Sequence, residues 1–80
     1  MLNRIHITPQ KGCKGLSNAR IEAAFAKVFG TRPVFIRTKG KTIIVHTSLK
    51  LKESRVRKFA KQLGEFYDFT GKGDSFAFKL

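Results

Sequence analysis

Apolar positions along this 80-residue chain recur with two periods, and each change of period marks a change of element. From Leu2 to Thr8 they alternate, with Ile5 and Ile7 on one side and Arg4, His6 and Thr8 on the other. This predicts a strand covered on one face and ended by Pro9. Ser17 or Asn18 then stands as N-cap of a helix in which Ile21, Ala24, Phe25 and Val28 share a face, and Gly30 sits where a C-cap belongs. Thr31-Arg32-Pro33 turns the chain into two β-branched and aromatic runs, Val34 to Arg37 and Thr42 to Thr47, around the basic loop Thr38-Lys39-Gly40-Lys41. That is the strongest hairpin signal in the chain. Its alternation places Val34, Ile36, Ile43 and Val45 on one face and Phe35, Arg37, Ile44 and His46 on the other.

The stretch 48–52 reads equally as a strand extension or a first helical turn. A second helix is predicted over about 52–65, with Val56, Phe59, Ala60 and Leu63 as its apolar stripe. Beyond it, alternation in two arms around Gly71-Lys72-Gly73-Asp74 predicts a second hairpin, with Phe76, Phe78 and Leu80 facing the core. The order is β-α-β-β-α-β, and the C-terminal segment has the length to supply one strand more. It predicts an α+β, two-layer sandwich of the split β-α-β, ferredoxin-like type: an antiparallel sheet with both helices on one face and the other face open. The expected core is Ile5, Ile7, Phe25, Val28, Ile36, Val45, Phe59, Leu63, Phe76 and Phe78. Residues 1–80 make a single domain, near the size at which one core supplies little stability, so large apolar side chains belong inside.

Charge changes the picture more than any other feature. Seventeen Lys and Arg against five Asp and Glu give a formal net charge of +12, while 41% hydrophobic residues and eight Phe argue for a folded chain rather than a basic tail. Self-repulsion of this size is relieved by a polyanion, and nucleic acid, RNA or DNA, is the leading partner. An acidic protein is the alternative. The cations do not lie opposite one continuous apolar helix face, so a membrane surface is not expected. Met1 to Pro9 lacks a signal-peptide core, no apolar run approaches spanning length, and the single Cys13 has no internal partner. The expectation is a soluble, cytoplasmic protein.

Three places carry candidate chemistry. On the open sheet face Arg4, His6, Ile44 and His46 come together, with Phe35 and Arg37 at an edge; aromatic and guanidinium planes beside cations suit single strands, whose bases stack and whose phosphates pair. With Lys39-Gly40 leading into apolar strand residues, this surface resembles that of the RNA-recognition motif, whose stacking positions are occupied here by His6, Ile43 and His46. The same face would also suit cover by a loop or a second copy. The loop Gly12-Cys13-Lys14-Gly15 resembles the Gly-x-x-Gly loop of KH domains and, with Lys11 and Lys14, could hold phosphate at the following helix N-terminus; a plain flexible loop fits equally. The run Arg57-Lys58-Phe59-Ala60-Lys61 resembles the Lys-Lys-x-Ala-Lys run of double-stranded RNA-binding domains, and its neighbours Arg55/Lys58, Arg57/Lys61 and Lys58/Lys61 repel by about 0.2 to 0.5 kcal/mol each. Phosphate contacts are therefore expected from Arg37, Lys39 and Lys41 at the hairpin tip and from Arg55, Arg57, Lys58 and Lys61 on the second helix. None of the resemblances covers enough of the chain to assign a family.

Enzyme chemistry finds little to stand on. Glu22, Glu53, Glu65, Asp68 and Asp74 are scattered, which gives no carboxylate pair, and two His with one Cys are too few for a structural zinc. No metal or cofactor is expected. A metal-free ribonuclease using His6 or His46 as acid or base is the remaining catalytic alternative.

Overall fold

Seven elements follow in order: β1 (Asn3–Thr8), α1 (Asn18–Phe29), β2 (Phe35–Lys39), β3 (Thr42–Thr47), α2 (Glu53–Leu63), β4 (Tyr67–Lys72) and β5 (Ser75–Lys79). The structure is a computed structural model and describes residues 2–10 and 16–80; Lys11, Cys13, Lys14 and the glycine loop that holds them lie outside the described residues. Several boundaries have a local cause. Ser17 caps α1 by accepting from the Arg20 N–H at 3.2 Å, and Gly30 closes it in the left-handed region with its N–H on Ala26 O at 2.8 Å. β2 and β3 join through the two residues Gly40-Lys41, because Lys39 pairs with Thr42 and Gly40 takes a φ of 62°, as the first position of a type II′ turn requires. The ambiguous stretch before α2 is neither strand nor helix. It is tied down by the Leu49 N–H on Thr47 Oγ1 and by the Asn3 side chain on Leu49 O, while Leu51 is buried.

The sheet order is β2-β3-β1-β5-β4. The first half is the expected split β-α-β, with β3 antiparallel to both β1 and β2. The second half corrects the expectation. The extra C-terminal strand exists, but it inserts between β1 and β4 and runs parallel to β1, so the sheet is mixed and the ferredoxin-like order is not followed. Side chains explain why β5 takes the inner place. It alternates without interruption and buries Phe76 and Phe78, whereas β4 carries a bulge between Tyr67 and Thr70, Asp68 at a φ of 52°, and Gly71. A Cβ at Gly71 would stand 2.3 Å from Ser75 O, so only glycine fits there. Bulged and glycine-bearing strands belong at edges.

One buried cluster takes Ile5, Ile7, Ile43, Val45, Phe76 and Phe78 from the sheet together with Ile21, Phe25, Val56, Phe59 and Leu63 from the helices, so both helices cover the same face. Val28 and Ile36, expected inside, are only partly buried against it. Val34 precedes β2 and is exposed, although alternation alone would place it with Ile36. Seven of the eight Phe form one connected ring network: Phe25 stacks on Phe29 at 4.4 Å, Phe59 meets Phe25 edge-on at 5.7 Å and Phe78 at 6.2 Å, and Phe78 continues to Phe66 and Phe69, with Phe76 beyond. Phe35 stands outside it. The helices also exchange arginines. Arg20 in the first turn of α1 donates to Leu63 O at the end of α2 (3.0 Å), and Arg55 in the first turn of α2 donates to Val28 O near the end of α1 (2.9 Å). Each supplies a cation to the partial negative charge and unpaired carbonyls of the other helix's C-terminus.

Phe59 links the inter-helix rings to the sheet rings and is wholly buried. Phe59→Ala should cost about 3 to 5 kcal/mol, a large part of the roughly 4 to 12 kcal/mol available to a domain of this length. Tyr67→Ala, at an exposed edge, should cost less than about 1 kcal/mol. Equal losses in urea unfolding would mean that the two faces of the sheet have been assigned wrongly.

Candidate nucleic-acid interface

Strand register fixes what the open face presents. Across it from β2 to β4 run three rows: Phe35, His46, Arg4, Ser75 and Lys72; then Arg37, Ile44, His6, Ala77 and Thr70; then Lys39, Thr42, Thr8, Lys79 and Tyr67. Phe35 and Tyr67 occupy diagonal corners, and Lys39 and Lys72 the other two. Four strand spacings make the face about 19 Å wide. Asp68 answers this cationic surface with one carboxylate, which pairs with Lys79 at 3.3 Å.

The centre is not flat. Ile44 is 3% exposed and His46 7% exposed, because β3 lies between β2 and β1 and the longer side chains of those strands fold over it. Arg4, His6, Arg37, Lys39 and Thr42 with Ile44 line a depression of about 370 Å3, basic at its walls and apolar at its floor. Beside it Phe35 lies on the His46 ring at 4.2 Å between centroids and 14° between planes, yet remains 44% exposed. One face of Phe35 is thus held and the other is available.

His46 is the fixed point of this arrangement. Arg37 Nε donates to His46 Nε2 at 2.9 Å, so that nitrogen is unprotonated and the imidazole is neutral. Burial first, then the positive charges of Arg37 and Arg4 and the neighbouring His6, hold the His46 pKa below its ordinary value of 6.5. The bond fixes Arg37 through one nitrogen and leaves its terminal amino groups for an outside acceptor. His6 reaches Phe76 O through Nδ1 at 3.4 Å, and Thr8 and Thr42 bond across the strands at 3.2 Å. No buried side-chain nitrogen or oxygen among the described residues is left without a partner.

The cations of α2 do not form one patch. Arg57 turns toward β4, where it pairs with Glu53 Oε2 at 3.2 Å and lies 4.2 Å over the Phe69 ring. Arg55, Lys58 and Lys61 turn the other way and line a trench with Lys27 and Lys52. The sheet face therefore brings together Arg4, His6, Phe35, Arg37, Lys39 and His46, the trench brings together Arg55, Lys58 and Lys61, and Arg57 belongs to neither. Lys41 sits in the hairpin turn. Lys72, Tyr67 and Lys79 on the face, and Lys27 and Lys52 in the trench, escaped sequence reasoning. Pairing the second hairpin with β1 would have found the first three, since Lys72 faces Ser75 and Ser75 faces Arg4.

No group of three or more His, Cys, Asp or Glu among the described residues could hold a metal ion, and none of their helices is long and apolar enough to cross a membrane. No protein-family model matches the chain, and no curated protein or solved structure matches it either.

Because the fold favours neutral His46, the unfolded chain binds that proton more readily. The stability this group contributes is complete above about pH 6.5 and is lost as the pH falls from there toward the lowered folded value. His46→Gln keeps an acceptor for Arg37 without the titration. Thermal melts between pH 8 and 5 should show a steeper acid loss for the parent than for the variant; parallel curves would mean that folding leaves the His46 pKa where it is in the unfolded chain.

Proposed function

We propose that this protein binds single-stranded nucleic acid, RNA or DNA, on its open sheet face and basic hairpin tip. The observation that carries this reading is Phe35. In a domain that gathers every other Phe into one network behind the sheet, this ring lies on the opposite side, braced by His46, half exposed and next to Arg37. A ring held from beneath offers a base a ready stacking surface at little cost in order; Arg4 and Arg37 lie near it, and Lys39 and Lys41 continue the charge along the hairpin toward its tip for further phosphates. The apolar floor at Ile44 accepts the edge of a base without demanding a particular hydrogen bond, which favours weak sequence preference. The ribonuclease alternative gains no support from His46, whose burial and bond to Arg37 engage it in holding the platform. An acidic protein partner would meet the same cations but gives no reason for the braced ring.

Four phosphate contacts give a slope of log affinity against log salt of about −2.8 on single strands. Phe35→Ala should weaken binding about tenfold with that slope unchanged, since stacking contributes roughly 1 to 3 kcal/mol per base. Lys39→Gln should instead flatten the slope by about 0.7. Fluorescence anisotropy with a labelled oligonucleotide, from low to moderate salt, reads both. Unchanged affinity in Phe35→Ala would refute the platform, and a slope untouched by Lys39→Gln would remove the hairpin from the contact.

A further inference from the structure

Behind the sheet, on the helix layer, the trench between α1 and α2 has a volume of about 600 Å3. Lys27 from α1, Lys52 just before α2, and Arg55, Lys58 and Lys61 from α2 line it, and no carboxylate among the described residues does. These cations come from two elements and converge only because the helices pack antiparallel, with Arg55 bonded to Val28 O at 2.9 Å as the fixed link between them. Lys58 lies three residues from both Arg55 and Lys61, so it has like charge on both sides along the helix. The one acid in the first turn of α2, Glu53, is drawn away to Arg57.

We infer that this trench is a second nucleic-acid site, separate from the sheet face, which takes the phosphate backbone of a duplex, and that one molecule therefore holds a single strand and a duplex at once. The trench itself stands independently of the sheet-face reading, whereas the simultaneous holding rests on it. Three features select the ligand. Lining cations on long stems with no carboxylate among them suit a repeating row of anions. Val28 is the one apolar residue among the described residues of the lining, which gives no dry core of the kind typical of a protein partner's contact. No aromatic ring lines the trench, so bases have nothing to stack on and only the backbone is contacted, which a duplex presents without unpairing. The two surfaces lie on opposite layers of the sandwich, so occupying one leaves the other open.

The test uses the triple variant Lys52→Gln, Lys58→Gln, Lys61→Gln, which leaves Arg55 and its bond to Val28 in place. It relieves repulsion on α2 and should melt no lower than the parent, which separates loss of binding from loss of fold. With a blunt duplex of random sequence, the variant should bind at least tenfold more weakly at low salt and flatten the salt slope by about 2.7, while its affinity for a single-stranded oligonucleotide stays within about twofold. The parent should also bring a donor-labelled single strand and an acceptor-labelled, non-complementary duplex into energy transfer, a signal that both the triple variant and Phe35→Ala diminish. Unchanged duplex affinity in the triple variant, or a parent that binds single strands but no duplex, would overturn the trench and leave the sheet face standing. A parent that binds duplex through the trench but no single strand would overturn the sheet face and the bridging with it. Competition between single strand and duplex for the parent would mean one shared site and would overturn the inference.

Discussion

Burial on one side of the sheet is the constraint from which the rest follows. The described residues form two helices, and the sheet needs both to cover the face that presents Ile5, Ile7, Ile43, Val45, Phe76 and Phe78. With seven Phe committed to that layer, the residues on the other face are those the strands' alternation sends outward: cations, two histidines, small polar groups, Ile44, Ala77, Tyr67 and Phe35. β1 and β5 alternate between buried and more exposed positions, as strands solvated on one face do, while β3 is buried on both. The exposed surface is thus a consequence of how the core was filled, and its chemistry is legible row by row once the register is known.

Arginine and lysine divide the positive charge between structure and surface. Arg20 and Arg55 close the opposite ends of the helix pair, Arg37 is fixed by His46, and Arg57 lies over Phe69. The planar fork lets one nitrogen hold a structural acceptor while others remain for a ligand, which an ammonium cannot do as well. Lys39, Lys58 and Lys61 have no ion pair among the described residues. Self-repulsion in a chain of +12 opposes folding, and any polyanion bound to the folded form would relieve it.

The periods of the sequence were enough to locate the elements, because each helix carries a clear stripe and the strands are short β-branched or aromatic runs bounded by turn residues. They also placed Phe35, Arg37 and His46 together on one face through the alternation of the two arms, although the loop read as Thr38 to Lys41 is a two-residue turn, with Thr38 and Lys39 paired in β2. They could not order the sheet. Whether β4 or β5 lies beside β1 depends on which of two adjacent strands buries more ring surface and tolerates an edge, and the deciding features, the Tyr67–Thr70 bulge and the close approach at Gly71, are properties of the assembled pair. That is why Lys72 and Tyr67 were missed. The division of the α2 cations was hidden for a related reason: helical spacing brings Arg55, Arg57, Lys58 and Lys61 near one another, and only packing sends Arg57 to β4 and the rest toward α1.

The uncovered sheet face is the proposed binding surface for nucleic acid. Amide chemical shifts followed by two-dimensional NMR during titration with a short single-stranded oligonucleotide test it most directly. The expected result is that the largest shifts map to Arg4, His6, Phe35, Arg37, Ile44 and His46, on three neighbouring strands, and that the Phe35 ring protons move upfield as a base stacks on them. Saturable binding that leaves those strands unshifted would contradict it.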